Sequence, residues 1–263
     1  MKRKGKRIVL AFINLLAYLG TITVNALANA LPINGNTTGA LSDAYPNLFV
    51  PAGLTFSIWG LIYLLLGVFA VYQLASAFRR SEDLSAFIDR ISVFFILSCI
   101  ANAGWVFAWH YEYVGISLIL MVLLLFSLLA VYQRLEIRKR GLSWQERIGW
   151  GIPFSVYLGW ITVATIANVT ALLVDIGWNG FGLSPSFWTI LVIVVATIIT
   201  LLIIFTRQDV FFALVIEWAF LGIILKRVRI DAAAYTNLIV VLGICMGIIL
   251  SAIAAQTVRR QIY

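Results

Sequence analysis

The residues of this chain that could do chemistry lie inside long apolar stretches. In PFSVYLGWITVATIANVT, residues 153–170, Tyr157, Trp160, Ala164 and Asn168 recur at helical spacing. At about 100° per residue they share one face of a helix, roughly 80° wide. A phenol, an indole and an amide around a small residue can stack on a flat apolar molecule and hydrogen-bond it. This face is therefore a candidate wall of a binding pocket.

Three earlier segments carry faces of the same kind. Each places aromatic or amide side chains three, four or seven residues apart, which is the spacing of one helical face. Polar groups are costly against lipid, so we expect all four faces to point inward, towards one another or towards a cavity. The three faces are Asn14, Tyr18, Thr21 and Asn25; Phe56, Trp59, Tyr63 and Gly67; and Asn102, Trp105 and Trp109.

Helix–helix contact is the simpler explanation of any one of these residues. Interhelical hydrogen bonds contribute about 0.6–2 kcal/mol each, and small residues let helices approach closely. Four such faces, three of them with tryptophan, favour a pocket instead, because a buried indole is large and its N–H needs a partner.

The remaining reactive side chains give little support for an enzyme. Cys99, Cys245 and the single histidine, His110, have no spacing typical of a zinc site, and the sequence has no recognisable nucleophile–base pair or phosphate loop. His110 stands in a tight turn with Glu112, where we expect both to be solvated. Glu217 lies within an apolar run, and an acid at that depth is a functional candidate by default, although a structural role is favoured.

Membrane-spanning helices are needed to position these faces. The 263 residues are 62% hydrophobic and 11% charged, which is more apolar than a soluble domain of this length could bury. We predict an all-α polytopic transmembrane helix bundle in a lipid bilayer. The lysines and arginines behind the net charge of +8 lie largely at the ends of the spans, which argues against nucleic-acid binding. Eight spans are expected, at about residues 8–30, 53–78, 91–110, 114–134, 147–173, 187–205, 209–226 and 236–257.

The distribution of lysine and arginine predicts the orientation. If every span crosses, all but three of the 19 basic residues fall on the side of the N-terminus, including the run in MKRKGKR. By the positive-inside rule that side is cytoplasmic, and a bacterial plasma membrane is the expected location. The exceptions are Lys226, Arg227 and Arg229, so either their loop breaks the rule or the seventh span stops short. The first span also resembles a signal peptide, and its cleavage would remove the first polar face.

Three of these motifs together resemble the TspO/MBR family, the tryptophan-rich sensory proteins that include the mitochondrial translocator protein, or peripheral benzodiazepine receptor. The family's second helix carries Trp, then Tyr at +4 and Gly at +8, as WGLIYLLLG does from Trp59. Its third helix carries Asn-x-x-Trp, here Asn102 and Trp105. Its fifth carries the Tyr, Trp, Ala and Asn that stand here at 157, 160, 164 and 168. The resemblance covers about residues 8–174, and typical members end after five helices.

The resemblance implies a TspO/MBR-like five-helix domain at residues 1–174, followed by a three-helix transmembrane extension at 175–263. It also implies a pocket for porphyrins or other flat hydrophobic molecules that opens towards the long first loop, residues 31–53. No metal or obligatory cofactor is implied, a porphyrin- or haem-like ligand would suit the pocket, and a homodimer is one assembly left open. The implied ligand-binding residues are Trp59, Tyr63, Asn102, Trp105, Tyr157, Trp160, Ala164 and Asn168.

A sensory or ligand-binding membrane protein is the function that we expect from these features. A transporter of a small hydrophobic molecule is an alternative, for which the many spans and Glu217 argue. A porphyrin-modifying enzyme is another, because some family members are proposed to act on porphyrin with light. Residues 175–263 are expected to leave the pocket intact, and Trp188 is expected to be silent in ligand binding.

Overall fold

A computed structural model of the chain describes residues 2–31, 33–79, 82–137 and 142–262. Within these ranges the regular elements are helices, and none is a strand. The α-helices are α1 (Lys2–Ala30), α2 (Thr38–Ala44), α3 (Ile58–Phe78), α4 (Glu82–Ile91), α5 (Phe94–His110), α6 (Val114–Arg134), α7 (Trp144–Glu146), α8 (Ile152–Asp175), α9 (Pro185–Arg207), α10 (Val210–Asp231) and α11 (Thr236–Ile262). A 3₁₀ turn, Gly53–Ser57, precedes α3, and a π-helix, Arg147–Gly151, leads into α8.

The predicted fold class is confirmed, because the chain is an all-helical, multi-pass membrane protein. In the described part of the chain six helices are long and apolar enough to cross a membrane. The count rises to seven if α4 and α5, which meet at an angle of 53°, form one bent span. The seventh predicted span, α10, is not among them, since charged residues reduce its apolar length.

The first five predicted spans pack as one bundle, and the last three pack on its side. α5 packs against α6, α6 against α8, and α1 against both α3 and α5. Of the added helices, α10 makes the main contact with the bundle, through α8, and α9 and α11 pack on each other and on α10. The predicted boundary between a five-helix domain and a three-helix extension, at residues 174 and 175, stays a prediction.

Short polar signals set the boundary between α9 and α10. α9 ends at Arg207, and the next residue, Gln208, has a φ of 55°, a left-handed conformation that stops a helix. The carboxylate of Asp209 then accepts the N–H groups of Phe211 and Phe212, both at 3.2 Å, and so caps the start of α10. The same carboxylate accepts hydroxyl groups from two other helices, which fixes this end of α10 in the bundle.

The ends of α10 lie at opposite ends of the bundle, so this helix crosses it fully. Asp209 contacts Tyr132 at the end of α6, on the side where α1 begins. Lys226, near the other end of α10, forms an ion pair with Asp43 of the first loop. The guanidinium of Arg227 lies 5.2 Å from the Tyr235 ring centroid. This position favours the explanation in which the loop after α10 breaks the charge rule, and the orientation itself stays a prediction.

The burial of His110 differs from the expectation from the sequence. His110 is fully buried, with Nδ1 2.7 Å from the Val106 carbonyl oxygen, so the prediction that it is solvated was wrong. Its neighbour Glu112 is exposed, as expected. Of the basic residues that predict the orientation, Arg80, Arg138, Lys139 and Arg140 lie outside the described residues, as do the side chains of Lys2, Arg3, Arg259 and Arg260.

Candidate ligand-binding site

Four tryptophans from three helices meet inside the bundle. Trp59 comes from α3, Trp105 and Trp109 from α5, and Trp160 from α8. Trp59 stacks on Trp105 with 5.9 Å between ring centroids, and Trp105 stacks on Trp109 at 6.1 Å. Trp160 meets Trp59 edge-on, with centroids 6.2 Å apart and ring planes at 86°. Trp59 and Trp160 thus face each other in direct contact, with no slot between them.

A chain of hydrogen bonds joins α1, α5 and α8 beside these rings. Asn25 Nδ2 donates to Asn102 Oδ1 at 2.8 Å, and Asn102 Nδ2 donates to Tyr157 Oη at 3.0 Å. All three side chains are buried. The polar groups of Asn102 and Tyr157 are therefore used in interhelical bonding, which is the simpler of the two explanations that the sequence offered.

Tyr63 and the glycine one turn after it form a second contact between α1 and α3. The Tyr63 ring stacks on Trp59 at 5.6 Å, and its backbone carbonyl accepts the hydroxyl of Tyr18 at 2.9 Å. A Cβ at Gly67 would lie only 2.7 Å from that hydroxyl. The Tyr-to-Gly spacing of the second helix thus makes room for Tyr18.

Asn168 connects α8 to both α5 and α6. Its Oδ1 accepts the indole N–H of Trp105 at 3.0 Å, and its Nδ2 donates to the hydroxyl of Ser117 at 2.9 Å. The amide is buried, and both of its ends are engaged. Asn168 therefore holds the Trp105 ring in place, and one of the two N–H groups of its amide is used by Ser117.

A small cavity of about 40 Å³ lies against the tryptophans, and we call it the aromatic cavity. Five of the eight predicted site residues line it, whereas Tyr63, Asn102 and Tyr157 do not. The sequence motifs missed the residues that the first loop contributes, because that loop has no helical periodicity to read. The lining is Thr38, Ser42, Pro51, Phe56, Trp59, Trp105, Trp109, Trp160, Val163, Ala164, Ala167 and Asn168.

The indole N–H of Trp160 is a buried and unmatched donor in the wall of this cavity. Trp160 is 2% exposed, and its Nε1 has no hydrogen-bond partner among the described residues. Trp105 and Trp109, in contrast, donate to Asn168 and to the Thr38 carbonyl. Phe56 meets the Trp160 ring edge-on at 6.0 Å and covers it from the side of the first loop. A buried donor without an acceptor is costly, so this atom calls for an explanation.

The first loop closes the end of the bundle above the cavity. Asn34 Nδ2 donates to the His110 carbonyl at 3.1 Å, and the Trp109 indole donates to the Thr38 carbonyl at 3.3 Å. Tyr45 packs on the Trp109 ring at 5.6 Å. These contacts also explain why His110 is buried, since the loop folds back over the end of α5.

The added helix α10 contacts the segment of this loop that leads into α3. The Trp218 indole donates to the Thr55 carbonyl, and the Ala52 N–H donates to the Gly222 carbonyl, both at 2.9 Å. A Cβ at Gly222 would come within 2.9 Å of Thr55 Cβ and 2.8 Å of its Cγ2. Since Phe56 follows Thr55 directly, α10 helps to position the ring that covers Trp160.

Trp188, which is expected to be silent in ligand binding, lines a different and much larger cavity. That cavity has a volume of about 700 Å³ and lies between α8 and α9.

Metal ligands do not cluster in the described part of the chain, where no three His, Cys, Asp or Glu side chains could hold an ion together.

Comparison with known proteins gives a match to a protein family. A sequence model of the family described as TSPO-like protein matches residues 11–255. The matched range runs beyond residue 174 and through α9, α10 and most of α11. No curated protein and no solved structure matches the chain.

Proposed function

The chain belongs to the family of TSPO-like proteins, and from that premise we propose that it binds a flat hydrophobic molecule in the aromatic cavity. The ligand class is porphyrin-like, an extended aromatic ring system that carries a carbonyl or carboxylate. Its role is that of a membrane sensor or receptor. The N-terminus faces the cytoplasm of a bacterial plasma membrane, on the strength of the basic residues near that end.

The observation that carries this proposal is the unpaired indole N–H of Trp160. Trp105 and Trp109 donate their indole N–H groups within the protein, and Trp59 is only partly buried. The buried, unpartnered N–H of Trp160 is suited to an acceptor that arrives with a ligand. Four tryptophan rings around it supply the stacking surface.

A ligand of this size needs more room than 40 Å³, so the cavity opens on binding. Phe56 is the ring that moves, because it belongs to the 3₁₀ turn and covers Trp160 from the loop side. The ligand then takes the place of the Phe56 edge against Trp160 and also stacks on Trp59.

Tryptophan substitution tests the proposal. Purified protein is titrated with protoporphyrin IX and with haemin, and affinity is measured from fluorescence quenching. Trp160→Ala should weaken binding by about 1–3 kcal/mol, the range for one buried aromatic anchor. Trp160→Phe keeps a ring but removes the donor, and should cost about 1 kcal/mol of binding free energy.

Trp144 supplies the matched control, because it is 69% exposed and does not line the cavity. Trp144→Phe should leave the affinity unchanged. If Trp160→Ala lowers the thermal stability but leaves the affinity per folded molecule unchanged, Trp160 is a packing residue and the proposal fails.

Transport of a small hydrophobic molecule is the second candidate, and Glu217 favours it. This acid is buried in α10, and neither carboxylate oxygen has a hydrogen-bond partner among the described residues. Intramembrane acids commonly belong to proton or substrate pathways. Uptake into proteoliposomes that depends on a pH gradient, and is abolished by Glu217→Gln, would support transport; uptake that Glu217→Gln leaves intact would oppose it.

A further inference from the structure

We infer that the cavity between α8 and α9 is a second binding site, and that it holds one acyl chain of a membrane glycerolipid. We call this cavity the lateral groove. Its volume of about 700 Å³ lies within the range of sites that hold drug-sized molecules, roughly 300–1,000 Å³. The lateral groove and the aromatic cavity lie on different faces of α8, since Thr162 and Thr165 line the first, and Ala164 and Asn168 the second.

The wall of the lateral groove is uncharged and almost entirely apolar. Of the described residues that line it, none is acidic or basic. The hydroxyls of Thr162, Thr165 and Thr189 donate to carbonyls of their own helices at 2.9, 2.7 and 2.8 Å. Those hydroxyls already have acceptors and need no polar ligand. The wall of the lateral groove therefore suits a hydrocarbon chain.

The lateral groove opens sideways, where a membrane protein meets lipid. Leu191, Val195 and Ile199 line it and are also exposed, as one row along α9. Water does not fill an apolar space at this depth, whereas the neighbouring lipid supplies chains directly. From Trp188 to Ile199 the row is about 16 Å long at 1.5 Å per residue, close to half of the roughly 30 Å hydrocarbon core. That length matches one chain of one leaflet.

The outer end of the lateral groove carries two tryptophans. Trp178 and Trp188 lie 5.1 Å apart, and Trp188 donates to the Gly180 carbonyl at 2.9 Å. The Trp178 indole makes no hydrogen bond to any described residue. Tryptophan is typical of the level where the ester groups of lipids lie. The uncharged indole N–H of Trp178 suits the carbonyl of an ester at this level, and it gives no site for a free anion. The lateral groove therefore favours a glycerolipid.

Photo-crosslinking tests this inference. The full-length protein is reconstituted in phosphatidylcholine vesicles doped with phosphatidylcholine whose acyl chain carries a diazirine, and the labelled peptides are mapped. A diazirine near the ester should label the region of Trp178 and Trp188. A diazirine near the end of the chain should label the region of Ile199.

A pair of neighbouring valines on α9 gives the matched variants. Val195 lines the lateral groove and Val194 does not, yet both are exposed. Val195→Phe should abolish the depth-ordered labelling, and Val194→Phe should retain it. Leu191→Phe, at another exposed lining position, carries the same test if Val195→Phe does not fold.

Three results would overturn the inference. The first is labelling spread evenly over all lipid-facing helices. The second is depth-ordered labelling that survives both Val195→Phe and Leu191→Phe. The third is native mass spectrometry of the purified protein that finds a retained molecule other than a glycerolipid, such as an isoprenoid. None of these results bears on porphyrin binding in the aromatic cavity.

Discussion

Replacing Gly222 with alanine should separate α10 from the turn that carries Phe56. The added methyl group would lie within 2.8 Å of Thr55 Cγ2, so the turn must shift. Overpacking of this kind costs about 1–3 kcal/mol. The shift also weakens the hydrogen bonds from Ala52 and Trp218, at about 0.5–1.5 kcal/mol each. A helix gains up to about 1 kcal/mol from Gly→Ala, so the net loss of stability should be about 1–5 kcal/mol.

The measurement is the free energy of unfolding in an SDS titration, with the thermal midpoint in detergent as a second readout. Gly243→Ala is the matched control, because a Cβ there would meet nothing within 4 Å. That variant should be unchanged or more stable by up to about 1 kcal/mol. Adding Thr55→Ala to Gly222→Ala should recover part of the loss, since it removes Oγ1 and Cγ2 of Thr55, two of the three atoms that the new Cβ would meet. Equal stabilities of the Gly222 and Gly243 variants would refute the reasoning.

Two further substitutions test the ends of α10. Asp209→Ala should lower the unfolding free energy by about 2–4 kcal/mol, because the carboxylate caps α10 and accepts the Tyr132 and Ser155 hydroxyls at 2.8 and 2.6 Å. Asp209→Asn should lose clearly less in the same titration, and equal losses would show that hydrogen bonding there is not the cause. Asp43→Asn should cost at most about 1 kcal/mol, falling as salt is added, because the Asp43 side chain of its ion pair with Lys226 is 60% exposed. A large, salt-independent loss would contradict that assignment.

The spans and the inward faces could be predicted from the sequence. Apolar runs of spanning length give the helices, and a period of 3.6 residues gives the face of each one that avoids lipid. Trp105, Trp160 and Asn168 are buried for this reason. The partners of the polar groups could not be predicted in the same way. Whether Asn168 Nδ2 meets Ser117 or a ligand depends on how α6 and α8 are rotated against each other.

The contacts of the first loop and of α10 lay beyond sequence reasoning. His110 is buried because a loop more than sixty residues earlier in the chain folds over it, and nothing near His110 signals this. The sequence also favoured a pocket that is independent of residues 175–263. The contacts of Thr55 with Trp218 and Gly222 join residues more than 160 positions apart, and they predict that α10 influences the aromatic cavity.

The position of α10 has a consequence for how the chain enters the membrane during synthesis. Its composition does not qualify it as a span by itself, and an acid at the centre of a helix costs about 2.5–3.5 kcal/mol on an insertion scale. Its far end also carries Lys226, Arg227 and Arg229. If the N-terminus is cytoplasmic, as proposed, these residues are translocated against the positive-inside preference. The strongly apolar α9 and α11 flank it in the chain. We therefore expect α10 to be retained in the bilayer only once α11 has emerged from the ribosome and the three helices can insert together.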